Sequence, residues 1–463
     1  MSAGAQIEEK MKAAGQSQAA IHSFLKNLEQ FEAGSSGFIS ESSIDAVKDI
    51  PALEDINVSL SQEERNALLA KTTLIKLNGG LGTGMGLDKA KSLLEVKDGL
   101  TFLDLIVRQV LHLRKEGAAD LKFLFMNSFS TSEDTKAFLQ DYPEVGSPSD
   151  LEFIQSQVPK LDAETKEPVT WKKNPQQEWC PPGHGDIYAA LLGSGKLDDL
   201  IEAGIEYAFV SNSDNLGACP DPTFIHYMEQ NSVDFLMEVT RRTDSDKKGG
   251  HLAQQKGRFI LRESAQCAEE DKDAFQNIDK HRYFNTNNLW IRLRGLKELI
   301  DSQGGSLSLP LITNQKTVDP KDSSSTSVIQ LETAMGSAIG LFKKAAAIDV
   351  PRSRFAPVKK TDDLLVLRSD ACVIRDDQTI GLIDSRNGIP PSVSLSGDYK
   401  TMAQFDSLIP VIPSLQHCQS LEVEGPVLFN EQVQIRGEVT IQNNGAEPKS
   451  LPACDYEDET IGL

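Results

Sequence analysis

The chain has 463 residues, of which 39% are hydrophobic and 25% charged, a composition typical of a globular protein with two or three domains. Its formal net charge is -21, and it lacks the basic face that nucleic-acid binders carry, so we expect no nucleic-acid partner. This charge also means that any phosphate site must be built from local lysines, backbone N–H groups or a metal ion.

The six cysteines occur without CxxC pairs, which argues against a zinc site or a disulfide framework and favours a reducing compartment. The N-terminus has no basic segment followed by an apolar run, and no apolar stretch approaches the length of a membrane span. We therefore expect a cytoplasmic protein without membrane association.

Residues 1–70 have a polar, helical pattern. The segment "QAAIHSFLKNLEQFE" predicts a helix, because its apolar residues recur at helical spacing, namely Ile21, Phe24, Leu25, Leu28 and Phe31. The segment "EDINVSLSQEERNALLA" predicts a second, short helix. Neither carries a chemical signature, so we interpret this N-terminal section as a structural helical cover.

Strand and helix patterns alternate from Lys71 onward. The segment "TTLIKLN" predicts a strand, and "TFLDLIVRQVLHLRKEG" predicts a helix with a capping box formed by Thr101 and Asp104. Further buried strands are predicted by the short apolar runs "LKFLFMNS", "EYAFVSNSDN", "DFLMEVT" and "NNLWIRL". This alternation predicts an open α/β sheet, in which ligands bind at the carboxyl ends of the strands.

The pattern changes after about Pro390, where short alternating strands are punctuated by Gly425, Gly437 and Gly445. The near-hexapeptide rhythm predicts a few coils of a left-handed β-helix. We therefore predict three parts, a helical section at 1–70, a catalytic domain at 71–390 and a β-helix-like domain at 391–463. The final acidic segment, "ACDYEDETIGL", is expected to be loose.

The segment "LNGGLGTGMGLDKAKS" contains five glycines between Gly79 and Gly86. It is not a Walker A loop, because Met85 stands where that motif requires a lysine. It is not a Rossmann fingerprint, because Met85 and Leu87 replace the third glycine in the two available registers. Glycines still let the backbone approach a ligand closely, and Lys91 adds a charge, so the composition indicates a phosphate-binding loop. A glycine-rich turn without a ligand is the alternative.

This loop is similar to the nucleotide loop of eukaryotic-type UTP–glucose-1-phosphate uridylyltransferases, whose pattern is close to LNGGLGTSMGCxGPKS. Other stretches resemble that family in the same order, namely "PPGHGDIY", "EYAFVSNSDNLGA", "MEVTRRTDSDKKGGHL", "FNTNNLW", "VIQLETAMGSAI" and "VPRSRFAPVKKTDDLL". The resemblance is dense from Leu74 to Leu367 and weaker in the C-terminal section.

The resemblance implies a Rossmann-like nucleotidyltransferase (GT-A-like) domain with a mixed, mostly parallel sheet. The implied reaction is Mg2+-dependent, with glucose 1-phosphate attacking the α-phosphorus of UTP in line to give UDP-glucose and pyrophosphate. Such a reaction needs positioning and neutralisation of charge more than covalent chemistry from the protein. The implied partners are these small substrates, and a homo-oligomer formed through the C-terminal domain is left open.

The resemblance also implies a set of nucleotide-binding residues, namely Leu77, Asn78, Gly79, Gly80, Lys91, Gln155, Gly183, Asn212, Lys248 and Lys359. Within it, Lys91 and Lys359 have the catalytic role on the phosphates. Gln155 matches the glutamine that binds the uracil edge, for which an amide offers both a donor and an acceptor. Alternatives in neighbouring registers are Gln157 for the glutamine and Lys247 and Lys360 for the lysines.

The implied substrate-binding residues are Gly80, His184, Asn285, Asn287 and Glu332. We interpret His184 as a hydrogen-bond donor and not a base, because the attacking phosphate is already ionised. Asp214 follows an apolar run and is the implied Mg2+ ligand. For Asp214, an N-cap or Asx-turn is the structural alternative.

The loop departs from the family pattern at Gly84, Leu87 and Lys89, which raises the question of its rigidity and nucleotide affinity. Two related activities remain open, those of a UDP-sugar pyrophosphorylase and a UDP-N-acetylhexosamine pyrophosphorylase. A non-enzymatic alternative is a nucleotide-sugar-binding sensor. Lys91, Asp214, Lys248 and Lys359 argue against a sensor, because sensing a nucleotide sugar requires no lysines for pyrophosphate.

Overall fold

The computed structural model describes residues 2–35 and 37–463. The α-helices of these residues are α1 (Ala3–Ala13), α2 (Gln18–Glu32), α3 (Gln62–Ala70), α4 (Phe102–Lys115), α5 (Ser132–Leu139), α6 (Ile187–Gly193), α7 (Lys196–Glu202), α8 (Pro222–Asn231), α9 (Lys272–Gln276), α10 (Leu293–Ser302), α11 (Thr361–Arg368) and α12 (Met402–Leu408). The β-strands are β1 (Asp45–Ala46), β2 (Thr72–Asn78), β3 (Glu95–Lys97), β4 (Leu100–Thr101), β5 (Lys122–Asn127), β6 (Glu152–Ile154), β7 (Val158–Pro159), β8 (Leu161–Asp162), β9 (Trp179–Cys180), β10 (Tyr207–Asn212), β11 (Phe235–Arg241), β12 (His251–Gln255), β13 (Arg258–Arg262), β14 (Tyr283–Arg292), β15 (Leu311–Thr317), β16 (Ser327–Thr333), β17 (Ala345–Asp349), β18 (Cys372–Ile374), β19 (Ile380–Leu382), β20 (Ser392–Leu395), β21 (Ser414–Glu424), β22 (Val427–Leu428), β23 (Gln434–Gln442), β24 (Lys449–Ser450), β25 (Asp455–Glu457) and β26 (Thr460–Gly462).

A large mixed sheet lies at the centre of the molecule. Strands β10, β2, β5 and β6 run parallel in that order, and β11 pairs in parallel with β17. Strands β14, β12, β13 and β1 add antiparallel pairs on the other side of β10. The predicted α/β class with a mixed, mostly parallel central sheet is confirmed.

Strand β2 shows why this sheet is buried on both faces. All seven of its residues, Thr72–Asn78, are buried, and the strand has the bounds predicted from the sequence. Because successive side chains point to opposite faces, Leu74 packs in the core that contains α4 and α8, whereas Ile75 packs in the core that contains α6 and α10. The glycine-rich segment that begins at Gly79 therefore leaves the sheet from a strand with no exposed residue.

The two N-terminal helices cover a small sheet formed by β15, β16 and β8. Helix α2 spans the predicted segment, and its Phe24 and Leu28 pack with Leu161, Leu311 and Leu331. The predicted capping box of α4 is also present, with Thr101 and Asp104 as its two members. None of the described helices has the length and apolar sequence needed to cross a membrane.

The C-terminal strands pair in parallel. Strand β21 pairs with β20 and β23, and β23 pairs with both β25 and β26. Leu421, Val423, Val439 and Ile441 are buried between them. The expectation that the final acidic segment is loose is wrong, because its two short strands hydrogen-bond along β23 and Tyr456 is buried.

The segment before β1 is attached to the central sheet by the carboxylate of Glu41. This carboxylate accepts from Arg262 at 2.5 Å, Lys280 at 2.6 Å and His281 Nε2 at 2.9 Å. Burial alone would raise the pKa of Glu41, but the hydrogen bonds from Lys280, His281 and Arg262 outweigh it and lower the pKa from 4.5 to about 2. The ionised carboxylate therefore stabilises the folded state.

We predict that this contribution depends on pH. Because the folded pKa of Glu41 lies below the unfolded value of 4.5, its stabilisation is complete above pH 4.5 and is lost as the pH falls towards about 2. Urea unfolding of the parent and E41Q should give a difference in unfolding free energy that is constant above pH 5 and shrinks below pH 4.5, values set by that titration. A difference that grew on acidification would contradict the role of Glu41.

Candidate active site at the carboxyl edge of the central sheet

The glycine loop begins where β2 ends. Gly82 and Gly86 have φ angles of 65° and 73°, in the left-handed region that favours glycine. At Gly80 and Gly84, a Cβ would meet no atom within 4 Å, so the backbone is open there. The Cβ of the serine in the family pattern would therefore meet no clash at position 84.

The end of β2 presents its backbone and not its side chains. The Asn78 side chain is buried and donates to Asn127 Oδ1 at 2.8 Å and Thr135 Oγ1 at 2.9 Å. Leu77 is also buried, and its carbonyl accepts from the N–H of Ser213. Any ligand contact at these two residues is therefore made through the main chain, as the resemblance implies.

Gln155 and Gly183 lie together beside the loop. Gln155 is buried, and its Nε2 donates to the carbonyl of Gly183 at 2.9 Å. A Cβ on Gly79 would lie 3.0 Å from Gln155 Oε1, so the amide oxygen faces the glycine loop. In the alternative register, the N–H of Gln157 donates to Gln16 Oε1, between α1 and α2, at 2.9 Å.

His184 is held as a neutral ring. Its Nδ1 accepts from the N–H of Met335 at 3.1 Å, which leaves the proton on Nε2. Burial lowers the pKa of His184 from 6.5 to about 4, so the imidazole is uncharged at neutral pH. This state fits a hydrogen-bond donor and not a general base.

Lys91, Asp214 and Val358 meet at the end of β10. Lys91 Nζ donates to Asp214 Oδ2 at 2.7 Å and to the carbonyl of Val358. The side chains of Lys91 and Asp214 are 16% and 21% exposed, so both are reachable from solvent. Asn212, the last residue of β10, pairs in register with Leu77 of β2 and lies at the same edge.

Lys359 follows Val358 directly. Its Nζ lies 5.7 Å from the centre of the Phe284 ring and 5.8 Å from that of Phe355, and its N–H donates to Asp363 at 2.7 Å. The neighbouring Lys360 instead points to an exposed ion pair with Asp362. The structure thus brings Lys359, and not Lys360, next to the other site residues.

A buried ion pair holds the segment that carries Lys359. The guanidinium of Arg354 donates twice to the carboxylate of Glu238, both at 2.7 Å, and Trp290 Nε1 donates to the same carboxylate at 2.9 Å. The carbonyl of Arg354 accepts from Asn215 Nδ2 at 3.0 Å. Residue 215 adjoins Asp214, so the lysine segment and the carboxylate are fixed together.

Lys248 is exposed, on a loop whose next two residues, Gly249 and Gly250, pack against Phe284 and Glu263. Arg242, which is buried, supports the loop by donating to the carbonyls of Asp246 and Lys247. Lys247 forms an ion pair with Asp244 at 2.7 Å. Within residues 2–35 and 37–463, we find no hydrogen bond or ion pair that joins the Lys248 side chain to another predicted site residue.

The predicted sugar-side residues are connected through the end of β16 and the residues that follow it. Asn285 Nδ2 donates to Asn287 Oδ1 at 2.9 Å, and a Cβ on Gly336 would lie 3.2 Å from Asn285 Nδ2. At the other end of the segment, the Glu332 side chain lies against Gly183, where a Cβ would meet it at 3.2 Å. Residues 332–336 therefore run from the Gln155 side of the site to the asparagine side.

Glu263 was not predicted. It follows β13 and hydrogen-bonds with Asn285. Burial raises the pKa of Glu263, whereas Asn285 and the charge of Lys359 lower it. The available sequence signal was an acidic residue directly after the segment "RFILR". Because β13 is antiparallel to its neighbour, this signal did not show which edge of the sheet Glu263 reaches.

The side chains at the site could hold a metal ion together with phosphate oxygens. They are too few to hold one by themselves. In the part of the chain that the structure describes, no three histidine, cysteine, aspartate or glutamate side chains are grouped to hold a metal. Asp214 supplies a single carboxylate at the site. One carboxylate, with phosphate oxygens and water, is a common arrangement for Mg2+.

Comparison with known proteins identifies a family to which this chain is similar. The family model described as UTP–glucose-1-phosphate uridylyltransferase matches residues 21–436. The enzyme of that name from Hordeum vulgare is 43% identical over 390 residues, covering 83% of this chain and 80% of its own. The Saccharomyces cerevisiae enzyme is 41% identical over 395 residues, covering 85% and 78%.

Solved structures agree with this match. A point mutant of UDP-glucose pyrophosphorylase from Leishmania major, in complex with UDP-glucose, has a TM-score of 0.95 and 48% identity, covering 100% of this chain and 99% of its own. A Trypanosoma brucei structure described as UDP-glucose phosphorylase has a TM-score of 0.92 and 48% identity, with the same coverage.

We predict that R354M destabilises the fold and displaces Lys359. Removing one partner of a buried ion pair leaves the other charge uncompensated, which costs about 3–5 kcal/mol of unfolding free energy. The Glu238 side chain is 0% exposed, so water cannot replace the lost partner. Urea unfolding measures this loss.

R241M is the matched control. Arg241 forms an ion pair with Asp349 at 2.7 Å, but the Arg241 side chain is 57% exposed. Its loss should cost at most about 1 kcal/mol. Equal losses in R354M and R241M would contradict the anchoring role of Arg354.

Proposed function

This chain belongs to the UTP–glucose-1-phosphate uridylyltransferase family, and from that premise we propose that it joins UTP and glucose 1-phosphate to give UDP-glucose and pyrophosphate. It is a nucleotidyltransferase. The observation that carries the assignment to this site is the meeting of Lys91, Asp214 and the Lys359 segment beside an open glycine loop. In a chain of net charge -21, so local a concentration of lysine at a sheet edge suits a polyphosphate.

The nucleotide lies, in this proposal, along the end of β2. The main chain of Leu77, Asn78, Gly79 and Gly80 receives it, because their side chains are buried or absent. Gln155 and Gly183 bind the uracil, and Asn212 completes this side of the site. The open backbone at Gly80 supports such an approach.

The sugar phosphate lies between His184 and the two asparagines, Asn285 and Asn287. His184 donates from Nε2 to a phosphate or hydroxyl oxygen, consistent with its lowered pKa. Glu332 and Glu263 accept from sugar hydroxyls, and Gly80 contacts the substrate through its backbone. Glu263 enters this set because it bonds with Asn285.

The chemical step is an in-line displacement at the α-phosphorus of UTP. An oxygen of glucose 1-phosphate forms the new P–O bond, the bond between the α-phosphorus and the bridging oxygen breaks, and pyrophosphate leaves with the electron pair. Lys91 and Lys359 act as catalytic residues by neutralising charge on the phosphates as it develops. Lys248 is assigned to the same phosphates, and the exposed loop that carries it gives it reach.

Asp214 is proposed to hold Mg2+ together with phosphate oxygens. When bound, the ion neutralises phosphate charge and orients the groups that react. Lys91 already occupies one oxygen of this carboxylate. We expect this lysine to exchange part of that contact for phosphate when substrate binds.

We also propose a division into domains, a surface for oligomerisation and a location in the cell. We divide the chain into a helical section at 1–70, a catalytic domain at 71–390 and a left-handed β-helix-like domain at 391–463, supported by the parallel pairing of β20 to β26. We propose the C-terminal strands as the surface of a homo-oligomer. Six free thiols support the cytoplasm as its location.

A pyrophosphate-release assay with UTP and a panel of sugar 1-phosphates tests the activity. We expect fastest turnover with glucose 1-phosphate. Faster turnover with galactose or N-acetylglucosamine 1-phosphate would overturn the sugar assignment in favour of a related pyrophosphorylase. No turnover with any sugar would overturn the enzymatic proposal and leave a nucleotide-sugar sensor.

We predict that K359A lowers the rate of pyrophosphate release about 100-fold, the typical cost of removing one group that stabilises transition-state charge. K360A is the control, because Lys360 pairs with Asp362 on the surface. It should keep the parental rate. Equal rates for K359A and the parent would contradict the catalytic role of Lys359.

We predict that E263Q raises the KM for glucose 1-phosphate about tenfold, because a hydrogen bond to a charged acceptor is worth about 1.4 kcal/mol more than one to a neutral amide. The KM for UTP should stay within about twofold, since Glu263 lies with Asn285 and not with Gln155. E270Q, at an exposed position on the same connection, is the control. A rise in the KM for UTP alone would contradict the assignment of Glu263 to the sugar.

A further inference from the structure

The turn from Pro182 to Asp186 is held firmly on one side. The N–H of Thr333 donates to the carbonyl of Pro182 at 3.0 Å. Gly183 and Gly185 lie so close to Thr333 that a Cβ on either would overlap it. This side of the turn therefore cannot move without β16.

Asp186 holds the other side of the turn. Its side chain is only 5% exposed, and Oδ2 accepts from the N–H of Ser156 at 2.6 Å. The Ser156 hydroxyl bonds with the same carboxylate. Asp186 thus joins the turn to the residue next to Gln155.

The joined segments determine the orientation of the Gln155 amide. The carbonyl of Gly183 is an acceptor, so only the NH2 group of Gln155 can bond with it, as it does at 2.9 Å. An inverted amide would place two oxygens against each other. The oxygen Oε1 must then face Gly79 and the glycine loop.

A fixed amide distinguishes pyrimidine bases. Towards the ligand, Gln155 offers an acceptor, Oε1, beside the second N–H of Nε2. Uracil presents the complementary N3–H donor beside a carbonyl. Cytosine presents the reverse, an unprotonated N3 beside an amino group, and would bind only if the amide could invert.

We propose that Asp186 is a positioning residue for base selection, which holds Ser156 so that Gln155 keeps its amide oxygen towards the ligand and excludes cytosine. This inference rests on the proposed uridylyl transfer and deepens it. Asp186 does not touch the substrate in this proposal and acts only through residues 155 and 156.

The test compares UTP with CTP. The parent, D186N and D186A are assayed by pyrophosphate release with glucose 1-phosphate as the second substrate. Burial raises the pKa of Asp186 to about 7, so the assays are run at about pH 8.5, where the carboxylate is ionised. The quantity of interest is the ratio of kcat/KM for UTP to that for CTP.

We expect the ratio to fall at least about tenfold in D186A, because a lost charge-assisted hydrogen bond releases Ser156. In D186N, which keeps an oxygen acceptor, the fall should be about threefold to fivefold. In both variants any change in the KM for glucose 1-phosphate should be the same with UTP and with CTP, because His184 of the same turn contacts the sugar phosphate and not the base in this proposal. A purely structural role would lower activity without changing the UTP-to-CTP ratio.

D104A is the matched control. Asp104 also accepts from a backbone N–H, that of Thr101 at 2.8 Å, but it caps α4 away from the site. It should lower the melting temperature and keep the parental ratio. A UTP-to-CTP ratio equal to that of the parent in both D186N and D186A would overturn the inference. If D186A does not fold, a parental ratio in D186N is enough to overturn it. A parent that releases no pyrophosphate would instead overturn the proposed function.

Discussion

The ion pair between Lys91 and Asp214 joins the segments on which the site depends. Lys91 follows the glycine loop, Asp214 follows β10, and the carbonyl of Val358 on the third segment accepts from the same ammonium group. An ammonium group without such acceptors would be mobile, and phosphates would meet it in many positions. A carboxylate and a carbonyl hold it in one position, a fixed charge that the proposed charge neutralisation would use once part of the Asp214 contact is exchanged for phosphate.

The third segment is itself fixed by buried charge. Arg354 reaches Glu238, which is 116 residues away in the chain, and the same carboxylate accepts from Asn288 and Trp290. A buried ion pair is a costly way to stabilise a fold, because both charges lose water. Here it ties the chain that leads into Lys359 to β11 by two hydrogen bonds from Arg354 to Glu238.

Local patterns in the sequence were sufficient for much of the fold. Strand β2 and helix α2 have the predicted bounds, because the first has a short apolar centre before the glycine loop and the second has a helical apolar repeat. Asp214 was predicted as a site residue from its place after an apolar run. Gln155 and Lys359 were predicted from the family resemblance, because no local pattern distinguishes them from surface residues.

The features that we did not predict from the sequence all involve residues that are distant in the chain. Glu263 ends an antiparallel strand, so the rule for parallel sheets gave no reason to place it at the site. The role proposed for Asp186 depends on its contact with Ser156, which lies 30 residues away. The C-terminal segment is acidic and short, yet β25 and β26 are ordered by pairing with β23. Each of these features depends on a contact with a residue far away in the chain, and local composition does not show such a contact.

The close approach of Gly183 and Gly185 to Thr333 also limits how this protein can change. A methyl group at either position would overlap atoms of β16, so even alanine requires the strand to move. By contrast, a Cβ at Gly80 or Gly84 would meet no protein atom within 4 Å. At Gly183 and Gly185 the neighbouring strand excludes a side chain. At Gly80 and Gly84 only a bound ligand could exclude one. A saturation library scored for folding alone would therefore be depleted at the turn and permissive at these two loop positions.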